Sequence, residues 1–332
     1  MSKEKLIDLG VLLPPLPTTS VGSFPKPDYL TNARSQFARK EITADDLKKL
    51  EERATAEWME FQEQIGIDVP VDGEMYRGDM VAYFAETMDG FTRGGLVRSY
   101  GNRYYHKPII NGKLAWRGPI TVSWWKFASS FTSKPVKGML TGPYTIMDWS
   151  FIESYPNRAA ATMALAKVVR AEVEALIEAG CKIIQIDEPA LSVRADEMDL
   201  AIEAMDVVTR DLPAYFITHV CYGEFEAIYP KMLKIPVDNF DLEMTNRGFD
   251  MAAAFKKNRF TKDLSCGVVD VHSHRIEEKK EVVENIRQAI KLVPRDQLWI
   301  DPDCGLKTRT VKEAQAKMRV MAEATAEARK KL

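Results

Sequence analysis

His219 and Cys221 stand two residues apart at the end of Ala214-Tyr215-Phe216-Ile217-Thr218, a β-branched and aromatic run that reads as a buried strand. Side chains alternate along a strand, so the imidazole and the thiol leave the same face of its end. Nitrogen and sulfur donors at that spacing suit a zinc ion, which takes them in a tetrahedron. Two donors are not a site, and an isolated His-x-Cys pair is as readily packing. Two further strand-like runs also end on ligand-type residues. Residues 239–243 close on Glu243, and residues 297–304 close on Cys304, just before Gly305. Three strand ends, each offering a zinc-type donor, point to a metal.

Those ends need a scaffold that gathers them. Residues 1–15 read as an N-terminal tail, and the catalytic unit is expected over 16–332. Thr18 to Pro25 reads as a first strand and its turn, and Val69 to Met75 as a second. Between them Thr43 N-caps a helix in which Leu47, Leu50, Ala54, Trp58 and Phe61 recur at helical spacing. Residues 88–135 carry scattered glycines, paired aromatics and short alternating runs, and predict a hairpin-like insertion, either packing over the barrel mouth or a donor-binding wall. From residue 136 strands and helices alternate: strands near 136–140, 182–186, 214–219, 239–243, 266–272 and 297–304, and helices near 157–179, 195–209, 223–233, 250–257, 278–292 and 311–331. Eight strand signals predict an α/β fold, a single (β/α)8 TIM barrel, whose chemistry lies at the carboxyl ends of its strands. Every candidate residue falls at such an end.

The composition is that of an ordinary soluble globular protein. Of 332 residues, 45% are hydrophobic and 28% charged, and the net charge of -2 gives no field to gather nucleic acid. No apolar run is long enough to span a bilayer, and the polar start is no signal peptide. Four cysteines without paired spacing argue for a reducing, cytoplasmic setting. Cys181, Cys266, His106 and His274 read as packing or loop residues.

The motifs carry a resemblance. TTSVGSFP at 18–25, GEMYRGDMVAYFAE at 73–86, KGMLTGPYTIMDWSF at 137–151, IIQIDEPAL at 183–191, THVCY at 218–222, DVHS at 270–273 and DPDCGLKTR at 301–309 together resemble the catalytic, C-terminal half of the cobalamin-independent methionine synthases. The likeness covers about residues 16 to 320, without the family's N-terminal barrel, and so is similar to the short, core form. It implies a zinc-dependent methyltransferase that makes L-methionine by methylating the zinc-bound thiolate of L-homocysteine. One zinc per chain would be held by His219, Cys221, Glu243 and Cys304, with Glu243, the hardest donor, yielding to the substrate sulfur. Donors spread from 219 to 304 suit a catalytic zinc better than a closed structural one. By the same resemblance Glu74 and Asp187 receive the substrate ammonium, Val21, Gly22 and Ser23 hold its carboxylate, and His272 is the proton donor, with Asp270 placed to orient it.

On the methyl-donor side the resemblance assigns Trp149, Arg103 and Tyr104. A glutamate that grips the pterin is replaced by Val193, and an Arg-Cys pair appears as Arg103-Tyr104. With no second barrel to hold a polyglutamate tail, these departures lead to methylcobalamin or a methylated corrinoid protein as the expected donor, received on a broad rim of Tyr104, Trp124 and Trp125. The alternatives are 5-methyltetrahydrofolate as donor, a related zinc thiol alkyltransferase with another acceptor, and a zinc-stabilised binding protein without turnover.

Overall fold

The computed structural model describes residues 2–99, 103–221 and 225–331, with Ser2, Ser99, Arg103 and Glu226 described by backbone alone. The first two staves of the barrel are short. Thr18 bridges Ile300 and Val71 bridges Lys137, both in parallel. Pro17 and Pro70 have no N–H to donate, so neither stave extends into a ladder. Their carbonyls still accept from Ile300 N at 2.9 Å and Lys137 N at 3.0 Å, and Val69 N donates to Thr18 O at 3.0 Å.

The hairpin follows: β1 (Met88–Ser99) pairs antiparallel with β2 (Arg103–Trp116), with register shifts between Asp89 and Phe91 and between Arg93 and Leu96. Gly90 lies at the first shift, at φ 89°, where a Cβ would meet the Lys113 carbonyl at 2.7 Å. Six strands then complete the barrel: β3 (Gly138–Thr141), β5 (Ile183–Asp187), β6 (Tyr215–Val220), β7 (Asn239–Leu242), β8 (Asp263–Gly267) and β9 (Leu298–Asp301), hydrogen-bonded in that order. The short β4 (Phe151–Ile152) joins the hairpin through β2. With the bridges at Thr18 and Val71, eight parallel staves close into the expected TIM barrel.

The helices follow their sequence signals where periodicity is long. Thr43 and Asp46 form a capping box at the start of helix Ala44–Ile65, and Gly66 at φ 76° ends it. Ala54, Trp58 and Phe61 are its buried face. Asn157 caps helix Arg158–Glu178 by accepting from Ala160 N at 2.8 Å. No described helix is long and apolar enough to cross a membrane.

Four expectations need correction. The tail is partly structured: Ser2–Asp8 is a helix, and Leu6 and Val11 pack on Val69, Ile183, Tyr215, Ile217 and Trp299, sealing the amino-terminal end of the barrel. The insertion is a hairpin only to Trp116. Val122–Ser129 is a helix too short for its period to show in the sequence; tertiary contacts hold it, since the Glu172 carboxylate accepts from Ile120 N at 2.8 Å and Thr121 N at 2.7 Å. The helix expected over 223–233 is one turn, Phe225–Ile228, then a 3₁₀ turn at Lys231–Lys234, because Pro230 interrupts it; residues 222–224 lie outside the described chain. Finally, Cys266 lies near the carboxyl end of β8 rather than starting a strand over 266–272. Val268, Val269 and Val271 are buried as loop, which copied a strand's composition. Cys266 itself is in the core cluster, as the packing reading has it.

Candidate active site

The carboxyl ends of β6 and β9 bring the ligand-type residues together. One ring nitrogen of His219 and the sulfurs of Cys221 and Cys304 all lie within 4.8 Å of one another, a metal-ligand group among the described residues. The ring of His219 is oriented from behind: Nδ1 is 2.9 Å from Asp241 Oδ1, on the neighbouring strand β7. His219 is 3% exposed, and its Nε2 has no hydrogen-bond partner of ordinary geometry. A carboxylate on one nitrogen and a buried, unsatisfied second nitrogen is the arrangement of a metal-binding histidine. The electrostatics agree. Donation from Cys221 and the nearby His219 hold the Cys304 thiol well below the usual range, against burial. Burial opposes the imidazolium, but Asp241 and Cys304 outweigh it and push His219 well up. The cluster attracts positive charge.

Glu243 stands beside this group and outside its 4.8 Å set. Its Oε1 lies 2.9 Å from His272 Nε2 and accepts from Asn246 Nδ2 at 2.9 Å. The geometry thus unites three of the four expected donors and leaves the fourth as their neighbour; the bond to Cys304 and burial push the Cys221 thiol well up, and Glu243 adds to the rise. The hydrogen bond to Glu243 also raises His272 above the usual histidine value, against its partial burial. Asp270 does not orient the His272 ring; its Oδ1 accepts the His272 backbone N–H at 2.7 Å and shapes the loop instead.

The expected amino-acid pocket adjoins the cluster. Gly22, at φ 154°, abuts Glu74: a Cβ there would lie 2.9 Å from Glu74 Oε1 and 2.6 Å from Met139 Cε. Glu74 is itself left-handed at φ 58°, its amide donating to Asp72 Oδ1 at 2.9 Å and its Oε1 lying 3.3 Å from Arg77 Nη1. Asp187 ends β5 and is 8% exposed; burial pushes its carboxyl up to about 7, with Glu74 adding to the rise and His219 opposing it. Val21 is buried. Ser23 approaches the ligand loop so closely that a Cβ at Gly305 would strike Ser23 Oγ at 2.1 Å. Leu306 N donates to Ser23 O at 2.8 Å. The pocket and the Cys304 loop are therefore one packed unit.

Sequence reading missed the residues that brace this unit. Asp241 faces inward two residues before Glu243, a signal the alternation of β7 carried. Asp303 left no comparable signal. Its carboxylate accepts the amides of Met244 at 3.0 Å, Thr245 at 2.9 Å and Asn246 at 3.0 Å, clamping the loop after Glu243 to the one holding Cys304. Gly267 makes room for it, since a Cβ there would lie 2.1 Å from Asp303 Oδ1.

On the donor side Trp149 is half-buried and its carbonyl accepts from Tyr105 OH at 3.3 Å, which ties it to the hairpin. Tyr104 is 66% exposed and Val193 54% exposed. The Arg103 side chain lies outside the described residues. The broad rim of Tyr104, Trp124 and Trp125 does not form. Trp124 stacks on Tyr76 with centroids 4.6 Å apart. Trp125 donates to the Val136 carbonyl at 2.9 Å, at the amino-terminal end of β3 and so at the opposite face from the mouth.

The family described as "Cobalamin-independent synthase, Catalytic domain" matches residues 16–327. A protein of Saccharolobus solfataricus named methionine synthase is 37% identical over 96% of this chain and 97% of its own length. A Flavobacterium johnsoniae protein named 5-methyltetrahydropteroyltriglutamate–homocysteine methyltransferase is 40% identical over 99% of this chain, which spans only 44% of that relative. Among solved structures, a B12-independent methionine synthase from Shewanella, in complex with selenomethionine, superposes with a TM-score of 0.86 at 26% identity, over 95% of this chain and 98% of that one.

These findings overturn methylcobalamin, or a methylated corrinoid protein, as the expected donor. The matching family is cobalamin-independent, and the flat rim meant to receive a corrinoid is absent. Val193 is half-exposed, so water reaches the position and the missing carboxylate leaves no buried polar group unpaired there. From its match over residues 16–327, the chain belongs to the cobalamin-independent synthase family, whose catalytic domain it spans.

Proposed function

We propose that this chain methylates the thiol of L-homocysteine to give L-methionine, with a 5-methyltetrahydropteroyl glutamate as donor. The observation that carries the reading is the meeting of His219, Cys221 and Cys304 beside a pocket with two carboxylates, Glu74 and Asp187, and a close glycine turn at Gly22. The thiol-binding half and the amino-acid-binding half are thus adjacent, as a short amino-acid thiol requires. The donor follows the relatives, 40% identical, that are named 5-methyltetrahydropteroyltriglutamate–homocysteine methyltransferase.

The donor set fits one zinc ion per chain, held by His219, Cys221 and Cys304 with Glu243 beside them. Bound there, zinc supplies a Lewis acid that keeps an acceptor thiol deprotonated at neutral pH. The chain's own residues do the rest. Asp187 and Glu74 bind the substrate ammonium, and the Val21–Ser23 turn receives its carboxylate. As the sulfur–carbon bond forms, the bond from methyl to the donor nitrogen breaks, and that nitrogen takes a proton. His272 supplies it: the hydrogen bond to Glu243 raises the imidazole above its ordinary value and favours the charged form. Trp149 offers a flat face for the donor ring. The reduced thiols this chemistry needs suit the cytoplasm.

The test is methionine formation by the zinc-loaded protein from homocysteine and 5-methyltetrahydropteroyltriglutamate. Methionine is the expected product. Failure to form it, with homocysteine binding intact by calorimetry, overturns the donor; failure to bind homocysteine overturns the acceptor.

A further inference from the structure

Beneath the amino-acid pocket lies a buried polar chain that touches no solvent. Lys137, 1% exposed at the start of β3, donates from Nζ to Ser20 O at 2.8 Å and to Gln185 Oε1. Gln185, fully buried on β5, donates from Nε2 to Val21 O at 2.7 Å and to Asp187 Oδ1 at 2.7 Å. The orientation of that amide is forced. An ammonium can only donate, so the amide oxygen must face Lys137 and the NH2 must fork to the two acceptors. Gln185 and Asp187 share a face of the strand because they are two residues apart. One amide therefore ties the backbone of the Val21–Ser23 turn to the carboxylate of Asp187. These are the two arms assigned to the carboxylate and ammonium of the acceptor.

We propose that Gln185, oriented by Lys137, is a positioning residue that sets the spacing between the carboxylate-binding and ammonium-binding arms, and so selects acceptors with an α-amino-acid end. Gln185 does not touch the substrate. It acts through Asp187 and the Val21 carbonyl, and it holds both with short bonds in a dry interior where a mismatch cannot be made good by water. The inference rests on the amino-acid acceptor proposed above.

The experiment measures the ratio of kcat/KM for homocysteine to that for its des-amino analogue, 4-mercaptobutyrate, in the zinc-loaded chain. Gln185→Glu keeps an acceptor for Lys137 and turns the forked donor into an oxygen facing two oxygens. Gln185→Met removes the fork without adding charge, and serves if the first variant does not fold. The expected result is a fall in the ratio of at least about tenfold, carried by KM for homocysteine rather than by kcat. An unchanged ratio in a folded variant, including equal loss with both thiols, overturns the role of Gln185 as a selector. Absence of any preference for homocysteine in the unmodified protein overturns the amino-acid acceptor itself, and this inference with it.

Discussion

Removing the charge of Asp241 should weaken metal binding while leaving the metal-free fold intact. Asp241 is fully buried, and its Oδ1 lies 2.9 Å from His219 Nδ1. In Asp241→Asn the amide oxygen can still accept from Nδ1–H, so the ring keeps its tautomer. What is lost is the charge that makes Nε2 a stronger donor. Loss of such a partner costs about 10–100-fold in metal affinity, and the isosteric change belongs near tenfold, about 1.4 kcal/mol. Asp241→Ala also frees the ring to turn and belongs near 100-fold. The effect on the protein without metal is a balance of two contacts. Asp301, at the end of β9 and two staves from Asp241, is held far above the carboxylate range by burial first and by Asp241 second. Removing that charge eases the burial of Asp301 but also weakens the partner of the His219 imidazole, so Asp241→Asn should leave the apo-protein folded, with a denaturant midpoint that reports the balance of the two. Competition against a zinc chelator and urea unfolding with and without zinc measure the two quantities separately. Unchanged zinc affinity in Asp241→Asn and Asp241→Ala would refute the reasoning, because Asp241 would then be packing and not a brace.

Cys304→Ser should lose most of the zinc, since a hydroxyl is a poor replacement for a thiolate; full retention in the purified variant removes Cys304 from the ligand set. Asp187→Asn should raise KM for homocysteine by about 10–100-fold, the worth of a charge-assisted hydrogen bond of roughly 1.5–3 kcal/mol, and leave the zinc content unchanged, as plasma emission analysis will show. Because burial raises the Asp187 carboxyl to about 7, homocysteine binding should weaken as pH falls below about 7, where the ammonium's partner becomes neutral. The same shift means that the folded state binds this proton more tightly than the unfolded one, so its contribution to stability is full at low pH and is lost as pH rises from about 4 to about 7. Titration calorimetry across pH should show the acidic limb disappear in Asp187→Asn. Asp303→Ala should destabilise the fold by about 1–3 kcal/mol, because three amides, that of Met244 buried and those of Thr245 and Asn246 partly so, lose their acceptor, and should also release zinc; an unchanged urea midpoint would show that the clamp is redundant.

Much of this was legible in the sequence, because the signals were periodic or chemical. Alternation put His219 and Cys221 on one face, long helical repeats placed Ala44–Ile65 and Arg158–Glu178, and the βα rhythm from residue 136 announced the barrel. Tertiary structure decided what depends on residues distant in the chain. The Val122–Ser129 helix is too short to show a period and is anchored by Glu172, some fifty positions on, which accepts the Ile120 and Thr121 amides just before it. Glu243 was legible as a ligand-type residue, but its carboxylate turns to His272 and Asn246, a choice among neighbours that no spacing along the strand encodes. Of the two tryptophans expected on the rim, Trp125 went to the opposite end because the Val136 carbonyl offered it a partner, and Trp124 lies flat against Tyr76, a partner distant in sequence. Composition named the candidate donors of the site. Asp241, Asp303, Gln185 and Lys137, which aim those donors, become visible only when the barrel closes, since a buried polar side chain is defined by the partner it meets and that partner comes from another strand.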